Sequence, residues 1–328
     1  MKIAKLMMGI AAVSSALIAG TALAQSAQSY PSRVVKIIVP FSAGGLADTL
    51  ARGIAQELTK DWGQTVIVEN RPGANTIIAA EATAKSPADG YTLLMANDPT
   101  LSSNQFLYTK LPYNPEKDFV PVINVAETLQ LLVASPSFPA RTLSEVITAA
   151  KSKPGQISYG TYGPGSKAHI DSEAFARQAG VSFLHVPYKG VADVVPALLS
   201  GQIQIAITGV PPSLQLVQTG RLHAIAIAAP KRSALLPDVP TFTEAGLKGF
   251  EASAWFGLVA PAATPRPVVD KIAAAVSKII VRPDFQKKFI SGVGLELLNQ
   301  GPDQYAEFLK KDREAYARHV KDIGVKLD

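Results

Sequence analysis

Residues 33–62 read RVVKIIVPFSAGGLADTLARGIAQELTKDW, and this stretch decides the fold. Its first part, VVKIIVP, is a β-branched run and reads as a strand. Its last part is amphipathic and reads as a helix from about Asp48 to Trp62. Between them PFSAGG (Pro40 to Gly45) joins strand to helix through a glycine pair, which lets backbone come close to another group. The alternation then repeats. TVIVENRPG is a strand closed by a Pro-Gly turn, IIAAEATAKS a helix, and PADGYTLLMAN a turn followed by a strand. This β-α-β-α-β order is the pattern of a parallel sheet with helices on both faces.

A second unit follows the same logic. LQLLVAS is a strand. TLSEVITAAKSKPG is a helix opened by Thr142 and Glu145 at capping-box spacing and closed by Pro154-Gly155. Then come ISYG, the loop TYGPGSKAH, a helix from about Ile170 to Gln178, VSFLHVPY, the helix VADVVPALLSG, and the strands IQIAIT and LHAIAIA. After AWFGLVAP the chain turns helical. Two α/β units predict two lobes, with the chain crossing near residues 127–133 and again near 252–257. Lobe one is then discontinuous, 25–126 plus 253–328, and lobe two is 127–252. Open α/β sheets bind ligands beyond the carboxyl ends of their strands, so the site belongs in the cleft between the lobes.

Composition removes several functions. The 328 residues are 47% hydrophobic and include no cysteine, which excludes thiol catalysis, Cys-based zinc sites and iron–sulfur clusters. The formal charge of +6 is spread without a basic run or an aromatic stripe, so no nucleic acid is expected. MKIAK, the apolar run LMMGIAAVSSALIAG and Ala22-Leu23-Ala24 before Gln25 form a three-part export leader. Residues 1–24 are read as cleaved after Ala24, the alternative being an N-terminal anchor. No other run approaches about 18 apolar residues.

Two glycine-rich strand-to-helix loops are the chemical candidates. In PFSAGG, Gly44 and Gly45 free backbone N–H groups, and the helix start adds partial positive charge, which suits a carboxylate. There is no P-loop lysine and no third spaced glycine for a dinucleotide. The simpler reading is a tight turn with Asp48 as helix cap. In YGTYGPGSKAHID, Ser166 can cap the next helix, and Thr161, Tyr162, Lys167 and His169 lie beside it. A nucleophilic Ser166 is the sharper reading, but the G-x-S-x-G pattern is missing. The four histidines show no metal-ligand spacing, so neither metal nor cofactor is expected. Trp255 and Phe256 sit at the second crossing, where core packing competes with ligand contact.

These motifs, in order, resemble the Bug/TctC family of extracytoplasmic solute receptors of tripartite tricarboxylate transporters. The resemblance rests on YPSRVVKIIVPFSAGGLADTLAR, VIVENRPGAN, AKSPADGYTLL, LPYNPEKDFVPV, SYGTYGPGSKAHI, HVPYKG, KRSALLPDVPTFTEAGL and WFGLVAPAATP, which span the chain from Tyr30 onward. It implies a type II-like periplasmic binding protein fold, α/β, with two lobes that close on a small organic anion in the periplasm. It also implies a monomeric receptor, not an enzyme, working with a large and a small membrane subunit, or with a sensor protein instead. The family's loops hold a carboxylate through backbone N–H groups, hydroxyls and water. Carried onto this chain, the ligand-binding positions are Phe41, Ser42, Gly44, Gly45 and Asp48, with Thr161, Ser166 and His169 in lobe two. Asn97 and Thr208 are added by their strand-end positions. Leu46 and Ala47 replace the small hydroxyl residue many relatives carry after GG, and Thr208-Gly209 replaces an acidic or amide residue. Both departures point to a carboxylate with an apolar body, perched against Leu46, Tyr162 or Trp255.

Overall fold

The computed structural model describes residues 30–250, 252–324 and 326–327, and the expected leader lies outside them. The opening stretch forms β1 (Val35–Val39) and α1 (Leu46–Trp62). After them come β2 (Val66–Asn70), α2 (Ile77–Ala84) and β3 (Thr92–Ala96), then a π-helical turn (Pro99–Ser103) and the short α3 (Asn104–Leu107). Next is β4 (Phe119–Ala134). The second unit is α4 (Leu143–Ser152), β5 (Ser158–Thr161), α5 (Lys167–Ala179), β6 (Leu184–Pro187), α6 (Val191–Leu199), β7 (Ile205–Gly209), α7 (Val210–Gln218) and β8 (His223–Ala228). The chain returns through β9 (Ser253–Pro261), α8 (Arg266–Ile280), α9 (Pro283–Phe289), β10 (Glu296–Gln300) and α10 (Pro302–Ile323).

β2, β1 and β3 pair in parallel, with Val39 opposite Asn70 and Ile37 opposite Leu93. β7, β5 and β6 form the matching parallel set of the second lobe. One strand joins the two. Residues 119–129 of β4 pair antiparallel with β9, and from Gln130 to Ala134 the same strand pairs with β7 and β8. The sequence pattern marks only LQLLVAS as a strand here, whereas the strand runs unbroken from Phe119 through Pro121. The register against β9 shifts just beyond that proline, and a bulge is where a strand tolerates one.

The period-2 alternation of β1 explains the layering. Val35, Ile37 and Val39 enter a core under α1 and α8, with Leu50, Ile54, Leu58, Ile272 and Val276. Ile38 points the other way, into a core with Trp255, Tyr305 and Leu309. Each such aliphatic side chain contributes about 1.5–3 kcal/mol of burial, so the sheet is held from both faces. The second lobe has its own pair of cores, one under α4 and α5 and one under α6 and α7.

Two boundaries differ from expectation. α1 begins at Leu46 with Gly45 as its N-cap, so Asp48 lies inside the first turn and is not the cap. α5 begins at Lys167 with Ser166 as its cap, as the capping reading of Ser166 requires, ahead of the Ile170 start read from the apolar pattern.

Candidate functional site

The first loop is held by a buried carboxylate. Asp48 is 2% exposed. Its Oδ2 accepts the Gly44 amide (2.8 Å) and Arg52 Nε (2.9 Å), and its Oδ1 accepts Asn70 Nδ2 (2.8 Å). The same Asn70 nitrogen donates to the Phe41 carbonyl (3.0 Å), tying the loop to the end of β2. Burial pushes the Asp48 carboxyl up, but the hydrogen bonds from Arg52, Gly44 and Asn70 outweigh it and hold the group below its ordinary value.

The second loop is held by a buried imidazole. Ser166 Oγ accepts the His169 amide (3.4 Å), and His169 Nδ1 accepts the Gly165 amide (3.1 Å). The His169 ring stacks on His185 at 4.2 Å, and His185 stacks on Tyr159 at 5.0 Å. Thr161 Oγ1 lies 2.7 Å from His185 Nε2. Burial, then the neighbouring His185, push His169 down to about 4, so its ring is neutral and free to accept.

The two loops therefore share one construction. In each, a glycine in the left-handed region (Gly44 at φ +84°, Gly165 at φ +72°) precedes the N-cap. Its N–H is taken by the side chain four residues on, the third residue of the helix. The next amides, of Leu46 and Ala47 in one loop and Lys167 and Ala168 in the other, open a helix and have no intrahelical carbonyl to bond. With the helix dipole behind them they suit an anion. Gly45 is different from its neighbour: its φ of −75° is open to any residue, and a Cβ there would come no closer than 3.6 Å to the Ser42 carbonyl.

The remaining sequence candidates are scattered in role. Ser42 is exposed, while Phe41 and Leu46 are half buried and pack on the first core. Tyr162 is half buried against the core of α6 and α7, with the Gly209 amide beside its hydroxyl. Asn97 is buried and accepts Thr100 Oγ1 at 2.6 Å. Thr208 is buried and shares a hydrogen bond with Ser213 at 2.9 Å. Trp255 has to be withdrawn from the ligand set. It is 1% exposed, lies edge-on to Tyr305 and Phe308, and donates Nε1 to Asp312 (3.0 Å). A period-2 strand sends alternate residues inward, and Trp255 faces the core of lobe one.

His169 Nδ1 accepts the Gly165 amide and so is not available as a base toward the Ser166 hydroxyl, which caps the helix instead. Among the described residues no group of three or more His, Asp or Glu is arranged for a metal ion, and no helix is long and apolar enough to cross a membrane. A shallow groove of about 880 Å³ runs along α6 and meets the second loop only at Gly163 and Pro164. Sequence reasoning missed Asn70, Arg52 and His185, which hold the loops in place. Asn70 had a signal, a polar residue ending a strand beside β1.

Two mixed α/β sheets, a strand running through both, and a helix start at the carboxyl end of a strand in each lobe define a periplasmic binding protein fold. Residues 50–325 match the tripartite tricarboxylate transporter family receptor (TctC) model, and the chain belongs to that family, whose members are solute receptors rather than enzymes. It is 34% identical to Protein BugT of Bordetella pertussis over 94% of this chain and 95% of that one. Among solved structures it is similar to Rpa4515 of R. palustris with adipate, with a TM-score of 0.84 and 32% identity over 90% and 99% of the two chains. It is also similar to MatC of Rhodopseudomonas palustris with bound malate, with a TM-score of 0.80 and 33% identity over 89% and 100%.

Proposed function

We propose that this chain is a periplasmic receptor that captures a small organic carboxylate between its two loops and presents it to the membrane subunits of a tripartite transporter. The observation that carries the reading is the shared loop construction. Each loop uses its inner glycine amide for its own support and leaves the following helix-start amides for a ligand. Closure of the lobes would desolvate the carboxylate between two sets of main-chain donors, where such bonds strengthen. The adipate and malate bound by its structural neighbours are carboxylates of the expected size. The lobes divide as 25–126 plus 253–328 and 127–252 in this reading, with export by the residue 1–24 leader.

The ligand carries an apolar body. Leu46 and Ala47 offer no hydroxyl, and Thr208-Gly209 offers no acid for a ligand ammonium. Tyr162, half buried beside the second loop, is the aromatic neighbour that remains once Trp255 is placed in the core. A calorimetric and thermal-shift panel of adipate, malate, aspartate, citrate and benzoate tests this, because a ligand of the native state raises apparent stability. Larger stabilisation by aspartate or citrate would remove the apolar body. No response to any carboxylate in the panel would remove the receptor site as drawn.

A further inference from the structure

Immediately after the Ser166 cap, Lys167 brings an ammonium into a cluster of charged groups that spans both lobes. Its side chain is 14% exposed, and its Nζ lies 2.6 Å from Asp171 Oδ1, one turn along α5. The ammonium also stands 5.3 Å over the ring of Tyr316 in α10. The Tyr316 hydroxyl donates to Asp98 Oδ2 at 2.8 Å, and Asp98, just past β3, is 2% exposed. Asp312, one turn before Tyr316, accepts Trp255 Nε1 and is drawn electrostatically to Lys167. Around these groups Leu107, Ile170, Tyr316 and Val320 form an apolar cluster from both lobes.

We propose that Lys167 is a positioning residue: its ammonium, shared by Asp98 and Asp312 of lobe one and Asp171 of lobe two, clamps the second loop against the first lobe. Asp98 and Asp171 are buried and Asp312 is half-buried, and these carboxylates repel one another; removing the ammonium that faces all three leaves uncompensated charge, which is strongly destabilising. The attraction is strong enough that Lys167 stays charged. Burial lowers it, yet Asp171 and Asp98 raise it more. The carboxylates are in excess, and Asp171 Oδ2 is buried without a hydrogen-bond partner among the described residues. Burial pushes Asp98 up to about 7 against the pull of Lys167, and burial raises Asp171 and Asp312 as well. The other titratable groups facing the cluster are Tyr162 beside Asp171, Arg313 and Tyr305 beside Asp312, and His319 against Tyr316.

The sign of the pH effect follows. Asp98 holds its proton in the assembled joint well above its ordinary value, so the joint weakens as pH rises through about 7. The clamp matters for capture only through the reading of the second loop given above.

Hydrogen exchange on the ligand-free chain tests the clamp, so it can fail without touching the receptor reading. Lys167→Met at pH 7.5 is expected to speed exchange at residues 163–172 and 316–320 by at least about tenfold, with the rest of the first lobe unchanged. Adding Asp98→Asn and Asp171→Asn to Lys167→Met is expected to restore protection, since the repelling charges are gone. A triple variant no better protected than Lys167→Met would reduce the residue to packing and overturn the proposal, as would a Lys167→Met protein protected like the wild type. Asp98→Asn alone covers the case in which Lys167→Met does not fold. After correction for intrinsic exchange, the wild type should lose protection in these segments between pH 5.5 and 8.5, whereas Asp98→Asn should not. Parallel profiles for the two would also overturn it.

Discussion

Replacing the loop-holding carboxylate, Asp48→Asn, changes one atom and removes the charge. The asparagine keeps a single acceptor oxygen. Turned toward Gly44 and Arg52, it sets its NH2 against Asn70 Nδ2, donor against donor. Turned the other way, it leaves the Gly44 amide and Arg52 Nε without an acceptor. Asn70 cannot rotate in compensation without giving up its bond to the Phe41 carbonyl and the one it accepts from Arg52 at 2.8 Å. The Arg52 contact contributes less than about 1 kcal/mol, because that side chain is half exposed. A buried hydrogen bond to a charged group adds about 1.5–3 kcal/mol, so the substitution should cost about 2–3 kcal/mol in total. Urea unfolding near pH 7 would show this as a lower midpoint at unchanged slope. Asp48 is held below its ordinary 3.8, so its contribution is complete above that pH and fades as pH falls through the folded value. The gap between wild type and variant should close on the same path. A loss under about 0.5 kcal/mol near neutrality, the range of an inert surface change, would refute the carboxylate's place as the loop's anchor.

Other substitutions separate the roles assigned above. Gly44→Ala should cost about 1–2 kcal/mol through its φ of +84°, while Gly45→Ala should fall within about 0.5 kcal/mol; equal effects in thermal unfolding would overturn the contrast. Trp255→Phe should destabilise the fold by about 1–3 kcal/mol through the lost bond to Asp312 and leave carboxylate affinity unchanged in calorimetry; an affinity loss without a stability loss would return Trp255 to the site. His169 folds neutral with its value near 4, whereas the unfolded ring protonates near 6.5. Wild-type stability should therefore fall as pH drops from 6.5 toward 4, with a shallower slope in His169→Phe; an unchanged slope would count against the Gly165 bond.

The fold was legible because its signals are local. β1, α1 and the Thr142–Glu145 capping box were readable from short windows, and the box formed as its spacing required. β4 was only half legible. Its pairing partners are distant in sequence, and Pro121 looks like an end until β9 is there to bulge against it. β10 and the π-helical turn after β3 had no pattern of their own. At the loops the glycines were visible, but the partners of their amides were not. Asp48 reads equally well as a cap or a ligand contact, and only the approach of Asn70 and Arg52 makes it an anchor. Likewise the stack of His169 on His185 joins residues from a helix and a strand that no motif links.

The use of main-chain amides in both loops has a consequence for how such a protein can change. Every residue but proline brings a backbone N–H, so positions 46, 47, 167 and 168 can vary in chemistry while the proposed anion socket keeps its donors. The supports beneath it, Asp48 and His169, act on the loops through the Gly44 and Gly165 amides. If the proposed site holds, redesign toward a new acid can leave the anchors alone and work on the residues around them, with Leu46 the first to exchange.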